Sequence, residues 1–231
     1  MNGVLYGVGV GPGDYELITL KAVRILRECD IIAIPAKNAD KCTAYKIALG
    51  AVPDIVNKEV LCISVPMTTD SEKLECAYRD GSLKIEAMLK KGKSIAFINL
   101  GDPAIYGTYM KIHKEIEKRG YKCYLISGVP SFCAVAAELG IPISTGSESI
   151  HILPGLYKSD EVTKYEGTKI LMKSGGGIGD VKNKLIEMEE KGIAKAYAVT
   201  NCGMEGQEIC KNIKELDENS GYFTTIIVKE N

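Results

Sequence analysis

Short runs rich in Val and Ile fall at 4–10, 31–34, 60–65, 94–100 and 121–126 and predict strands. Between them apolar residues return every three or four positions, which predicts helices at 20–29, 43–49, 71–91 and 105–119. In the first helix Ile18, Ala22, Ile25 and Cys29 share a face. Ile105, Tyr109, Ile112 and Ile116 do the same in the fourth, with Gly120 as its stop. The long third helix opens on a capping pair, Thr69 with Glu72, and carries a weakening glycine, Gly81, in its middle. Strand alternating with helix predicts a parallel α/β sheet.

The rhythm then changes. A short helix at 131–139 gives way to a loop-rich bridge at 140–146, followed by strands at 150–153, 169–172, 196–200 and 223–228. A helix at 180–191 presents Val181, Leu185 and Met188 on one side and ends at Gly192. The longer, turn-rich gaps predict a mixed α+β second domain. The expected division is an N-terminal α/β domain with a parallel sheet over 1–125 and a C-terminal α+β domain with a mixed sheet over 126–231.

Composition narrows the function classes. A net charge of −1 over 231 residues gives no basic footprint for nucleic acid. No apolar run reaches the roughly 18 residues of a membrane span. Strand pattern begins at Val4, which leaves no room for a signal peptide. Eight cysteines occur without C-x-x-C spacing, so buried thiols in a reducing cytosol are expected, with no metal site. His113 falls on a helix surface and His151 in a strand, and neither invites a catalytic role. No Ser–His–Asp, Cys–His or paired-carboxylate pattern emerges, which points to catalysis by positioning.

Three strand-to-loop segments carry the candidate chemistry. The first, Gly7-Val8-Gly9-Val10-Gly11-Pro12-Gly13-Asp14, follows the first strand, and its glycines predict close backbone approach to a ligand. It is not a dinucleotide fingerprint: G-x-G-x-x-G from Gly7 requires glycine at Pro12, and from Gly9 requires it at Asp14. The second, Leu100-Gly101-Asp102-Pro103-Ala104-Ile105, reads either as a turn in which Asp102 caps the next helix or as a ligand platform at a sheet's carboxyl end. The third is Ser127-Gly128-Val129-Pro130-Ser131-Phe132. Three such loops in one domain favour one shared site. Lys173-Ser174-Gly175-Gly176-Gly177 lacks phosphate-loop spacing and reads as a connector.

Together these segments resemble the tetrapyrrole methylases, the S-adenosylmethionine-dependent enzymes of sirohaem and cobalamin synthesis, over nearly the whole chain. Val8–Asp14 with Leu17-Ile18-Thr19-Leu20-Lys21-Ala22 is similar to the family's opening motif, Gly101-Asp102-Pro103 to its second and Ser127–Phe132 to its third. Val65-Pro66-Met67-Thr68 and Tyr222-Phe223-Thr224-Thr225 are most similar to the precorrin-2 or cobalt-factor II C20-methyltransferases. Pro35 stands where the uroporphyrinogen-III methyltransferases carry an acid, which fits an enzyme acting on a later intermediate.

The resemblance implies two α/β domains of the class III methyltransferase type, a donor cleft between them, and a cytoplasmic homodimer. It sets S-adenosylmethionine against Leu100, Gly101, Asp102, Ile105, Pro130, Ser131 and Phe132, with Met172, Cys202 and Thr225 completing the pocket and Pro12 on the trough floor. Asp102 meets the donor's amino acid portion in that picture, and backbone groups with Met172 handle the adenosine. The substrate implied is a tetrapyrrole, precorrin-2 or cobalt-factor II. Other methylases of the fold (uroporphyrinogen-III, diphthine or ribosomal RNA) and a non-enzymatic tetrapyrrole carrier stand as alternatives. No catalytic residue is assigned: Tyr106 and Tyr109 lie near the donor loop, and Tyr109 also shares its helix's apolar face. Lys21, Arg24 and Lys37 are candidates for substrate carboxylates or for solvated surface.

Overall fold

The computed structural model describes residues 3–66, 68, 70–154, 162–173 and 178–230. The chain divides into two compact units, Met1–Pro130 and Ser131–Asn231. The break falls after the expected 125/126, because the segment following the fifth strand is tied back into the first unit.

The first unit is built on β1 (Val4–Gly9), β2 (Ile31–Ile34), β3 (Glu59–Cys62), β4 (Ile95–Asn99) and β5 (Lys122–Ile126). They form one sheet in the order β3-β2-β4-β1-β5, parallel at every pairing. Helices cover both faces, so the strands are buried on both sides and read as continuous apolar runs. Successive residues serve opposite faces. Val8, Ala96 and Ile98 pack with α1 (Leu20–Glu28) and α2 (Thr43–Ala51). Leu5, Ile95 and Phe97 pack with α3 (Ser71–Lys90) and α4 (Tyr109–Lys118) on the other side.

Local chemistry explains several boundaries. Thr19 caps α1, its Oγ1 accepting from the Ala22 N–H at 3.2 Å. At the other end the Lys58 ammonium donates to the Arg27 carbonyl at 2.6 Å and to the Cys29 carbonyl, placing a cation at the negative end of the helix. Helix α3 is capped by Asp70, which accepts from the N–H groups of Glu72 and Lys73. The expected cap Thr69 lies outside the described residues, as does Met67. Gly81 does not break this helix. A Cβ there would lie 2.6 Å from Ile63 Cγ2, so the glycine lets the helix seat against the chain leaving β3.

Helix α4 begins at Tyr109 rather than at the expected 105. Ile105 closes a turn onto the Asp102 carbonyl at 3.2 Å, and Tyr106 has a positive φ that no helix accepts.

The second unit carries α5 (Ser131–Leu139), β6 (Ile150–Pro154), β7 (Thr168–Met172), α6 (Ile178–Glu190), β8 (Ala194–Thr200), β9 (Glu208–Cys210) and β10 (Thr224–Glu230). The sheet order is β6-β7-β10-β8-β9, with β6 and β7 parallel and the other pairs antiparallel. Val181, Leu185 and Met188 of α6 pack on Ala196, Ala198, Ile226 and Val228, while α5 lies against β8 and β10. Strand β9 was not expected from the sequence. Among the described residues, no helix is long and apolar enough to cross a membrane.

A charged network locks the β6 side of this sheet. Lys169, whose side chain is fully buried, pairs with Glu230. Lys229 pairs with Glu148 at 2.7 Å, and Thr168 donates to the same carboxylate at 2.6 Å. The Lys229 and Thr168 hydrogen bonds outweigh burial and hold the Glu148 carboxyl at about 2, below its ordinary 4.5. A depressed folded-state value contributes stability that is full above the unfolded value and is lost as pH falls through the window from 4.5 toward 2. Urea midpoints measured from about pH 6 downward are therefore expected to fall less steeply in Glu148→Gln than in the wild type. Equal acid slopes would contradict this account.

Candidate functional site

The sheet topology of the first unit selects the location. The chain leaves β1 toward α1 on one face and leaves β4 toward α4 on the other, although β1 and β4 are neighbours. Diverging connections open a crevice at the carboxyl ends of such a strand pair, which is where open α/β sheets bind ligands. The first two candidate loops emerge there, and the third emerges beside them from β5.

The three loops are tied to one another through backbone. Gly101 N–H donates to the Gly11 carbonyl at 2.7 Å, and Gly11 N–H returns a bond to the Gly101 carbonyl at 3.3 Å. Both glycines have positive φ, +83° and +68°. Pro12 follows and is buried. Asp102 Oδ1 accepts from the Ala104 N–H at 2.7 Å, and its Oδ2 accepts from the Gly128 N–H at 2.9 Å. Asp102 is thus no helix cap, since α4 starts only at Tyr109; it joins the β4 loop to the β5 loop. Thr19 completes the frame by donating to the Ser127 carbonyl at 3.3 Å.

Two glycines of the first loop, Gly7 and Gly9, also answer to contacts inside the protein. A Cβ on Gly7 would sit 2.0 Å from Tyr109 Cε1, inside the core. One on Gly9 would sit 2.6 Å from both the Gly101 carbonyl oxygen and the Gly128 nitrogen. At these two positions the surfaces that approach are protein.

The site residues expected from the sequence fall in two groups. Pro12, Leu100, Gly101, Asp102, Ile105 and Pro130 belong to the loops of the first unit. In the second unit Met172 ends β7, Cys202 follows β8 and Thr225 is the second residue of β10. Because β10 runs antiparallel to β7 and β8, its start lies beside their carboxyl ends, so these three residues share one sheet edge. Ser131 opens α5, and Phe132 is buried on it. Burial pushes the Cys202 thiol up to about 11, with the Glu138 carboxylate adding to the shift. It remains a neutral thiol at neutral pH and offers no thiolate nucleophile.

Other candidates are used structurally. Tyr109 is fully buried, and its hydroxyl donates to the Tyr124 carbonyl at 3.4 Å and lies 3.1 Å from His113 Nδ1. It is a core residue. Arg24 pairs with Glu28 at 2.8 Å along α1. His151 stacks on Tyr165 and lies 3.0 Å from the Glu166 carbonyl. Ser174–Gly177 of the second glycine loop lie outside the described residues. The sequence reading missed Gly128 and Thr19 as loop ties, because their partners are distant in the chain.

The family model for tetrapyrrole (corrin/porphyrin) methylases matches residues 4–217. A probable cobalt-precorrin-2 C(20)-methyltransferase of Methanocaldococcus jannaschii is 35% identical over 74% of this chain and 72% of its own length. The cobalt-precorrin-2 C(20)-methyltransferase of Salmonella typhimurium is 28% identical over 100% of this chain and 98% of its own. The crystal structure of a uroporphyrin-III C-methyltransferase from Thermus thermophilus complexed with S-adenosylhomocysteine superposes with a TM-score of 0.68 at 18% identity, covering 98% of this chain and 97% of that one. Its likeness fixes the fold alone. The loop platform, the two-sheet architecture and these matches agree that the chain belongs to the tetrapyrrole (corrin/porphyrin) methylases.

Proposed function

We propose that this protein methylates C20 of precorrin-2 or cobalt-factor II in cobalamin biosynthesis, with S-adenosylmethionine as donor. The observation that carries the reading is the end-to-end likeness to an enzyme named for that reaction.

The donor supplies a methyl group carried on a sulfonium, so the chain needs no covalent nucleophile of its own. Its residues bind, orient and exclude water. The Asp102 carboxylate fits the donor's amino group. Two of its roughly four acceptor positions are taken by the Ala104 and Gly128 N–H groups, which leaves capacity for an ammonium. Leu100, Gly101, Ile105, Pro130, Ser131 and Phe132 are proposed to line the same donor, with Pro12 beneath it. Met172, Cys202 and Thr225 are proposed as the second unit's share. A cytoplasmic homodimer completes the proposal.

The test is an anaerobic assay with methyl-labelled donor, offering precorrin-2, cobalt-factor II and uroporphyrinogen III in parallel. Label is expected on one or both of the first two, at C20. Transfer to uroporphyrinogen III alone, or to none, would sink the assignment.

A further inference from the structure

Three hydrogen bonds of the loop frame form one continuous chain. Thr19 Oγ1 accepts from the Ala22 N–H at 3.2 Å and donates its own hydrogen to the Ser127 carbonyl at 3.3 Å. Asp102 Oδ2 accepts from the Gly128 N–H at 2.9 Å. The Ser127 carbonyl and the Gly128 N–H belong to a single peptide group. That group is planar and trans, so its C=O and N–H point in opposite directions. The peptide is therefore held at both ends, by the start of α1 on one side and by the loop after β4 on the other.

The residue type at 19 matters. As the N-cap of α1 it needs only a side-chain acceptor, and Asp, Asn or Ser would serve at least as well. Reaching the Ser127 carbonyl requires a donor besides. A hydroxyl has one O–H and two lone pairs and can fill both roles, whereas an ionised carboxylate has no hydrogen to give. The cap alone would admit a carboxylate; the second bond would not. A carbonyl that accepts a hydrogen bond also polarises its own peptide, which strengthens the bond its N–H makes onward. The receiver is the Asp102 carboxylate, whose other oxygen is fixed by the Ala104 N–H at 2.7 Å.

We infer that Thr19 is a positioning residue for the methyl donor, holding the Asp102 carboxylate in place through the Ser127–Gly128 peptide. This rests on the donor placement proposed above, in which Asp102 meets the donor's amino group. Thr19 itself touches no ligand.

Three variants separate the cap from the relay. Thr19→Val removes both, Thr19→Asp keeps the cap but lacks the donated hydrogen, and Thr19→Ser keeps both. Calorimetric titration with S-adenosylhomocysteine and Tm are measured for each. Thr19→Asp is expected to bind about fivefold more weakly than wild type, the size of one modest hydrogen bond, with a Tm above that of Thr19→Val. Thr19→Ser should stay within about twofold of wild-type affinity. Added to Asp102→Asn, Thr19→Asp should cost less than about twofold more, because the relay ends on the group already altered. Four results would each overturn the inference: wild-type affinity in Thr19→Asp, its Tm as low as that of Thr19→Val, Thr19→Ser binding as weakly as Thr19→Asp, or the full loss repeated in the double variant. A wild type that binds no S-adenosylhomocysteine, or an Asp102→Asn that binds it as well as wild type, would instead defeat the underlying donor placement.

Discussion

Gly128→Ala is expected to lower stability by about 3 kcal/mol, at the upper end of overpacking costs, and to abolish measurable S-adenosylhomocysteine binding. The added methyl would lie 2.2 Å from the Gly101 carbonyl oxygen and 2.9 Å from the Gly9 carbonyl carbon and Cα. Every atom it meets is backbone, so no rotamer relieves the clash. Moving the β5 loop away would also pull the Gly128 N–H from Asp102. Gly120→Ala is the matched control. Gly120 has φ of +84° but nothing within 4 Å of its missing Cβ, so only the conformational cost of about 1–2 kcal/mol applies. Urea unfolding and ligand titration on the two variants decide the matter. If Gly128→Ala is no less stable than Gly120→Ala, the loops are not packed as described.

Asp102→Asn is expected to weaken S-adenosylhomocysteine binding at least tenfold. The amide keeps one acceptor oxygen for two backbone donors, Ala104 N–H and Gly128 N–H, and turns an NH₂ toward the other. Leaving a donor unpaired costs about 1–3 kcal/mol where it is shielded from water. The substitution also removes the charge proposed to meet the donor's ammonium. Calorimetric titration measures the loss of ligand affinity, and denaturant unfolding measures the cost of the unpaired N–H. Donor affinity equal to wild type, in this variant or in Asp102→Ala, would remove Asp102 from the proposed site.

Much of the fold was legible because the parallel sheet is covered on both sides. Strand β2, four consecutive buried residues in Ile31–Ile34, stands at its expected bounds. The helices that failed to match did so where a local turn overrode periodicity. Ile105, Tyr109, Ile112 and Ile116 keep helical spacing, yet the Asp102 turn, Tyr106 and Gly107 hold the first of them out of α4. Strand β9 is three residues long, Glu-Ile-Cys, with a single neighbour, too short for any pattern. Lysine is almost never fully buried unless paired, and Lys169 is buried because its partner Glu230 comes within reach once β7 and β10 are paired.

The candidate site was legible as three loops but not as a frame. Nothing local in Asp102 identifies Gly128 as its partner, and the alternating glycines carry no mark of what approaches them. Gly7 answers to Tyr109, Gly9 to Gly101 and Gly128. These are tertiary facts written at separated positions.

The strand order has a consequence for how this protein comes into being. Strand β1 pairs with β4 and β5, so Leu5 finds its partners at Ile95 and Cys123. A chain emerging from the ribosome carries β1 from the start with neither neighbour, through the synthesis of α1, β2, α2, β3 and α3. Late, non-local pairing of this kind is slow and leaves strand edges open to aggregation. The β5 loop that closes the frame arrives last in its unit, so the three loops are tied together only late in synthesis.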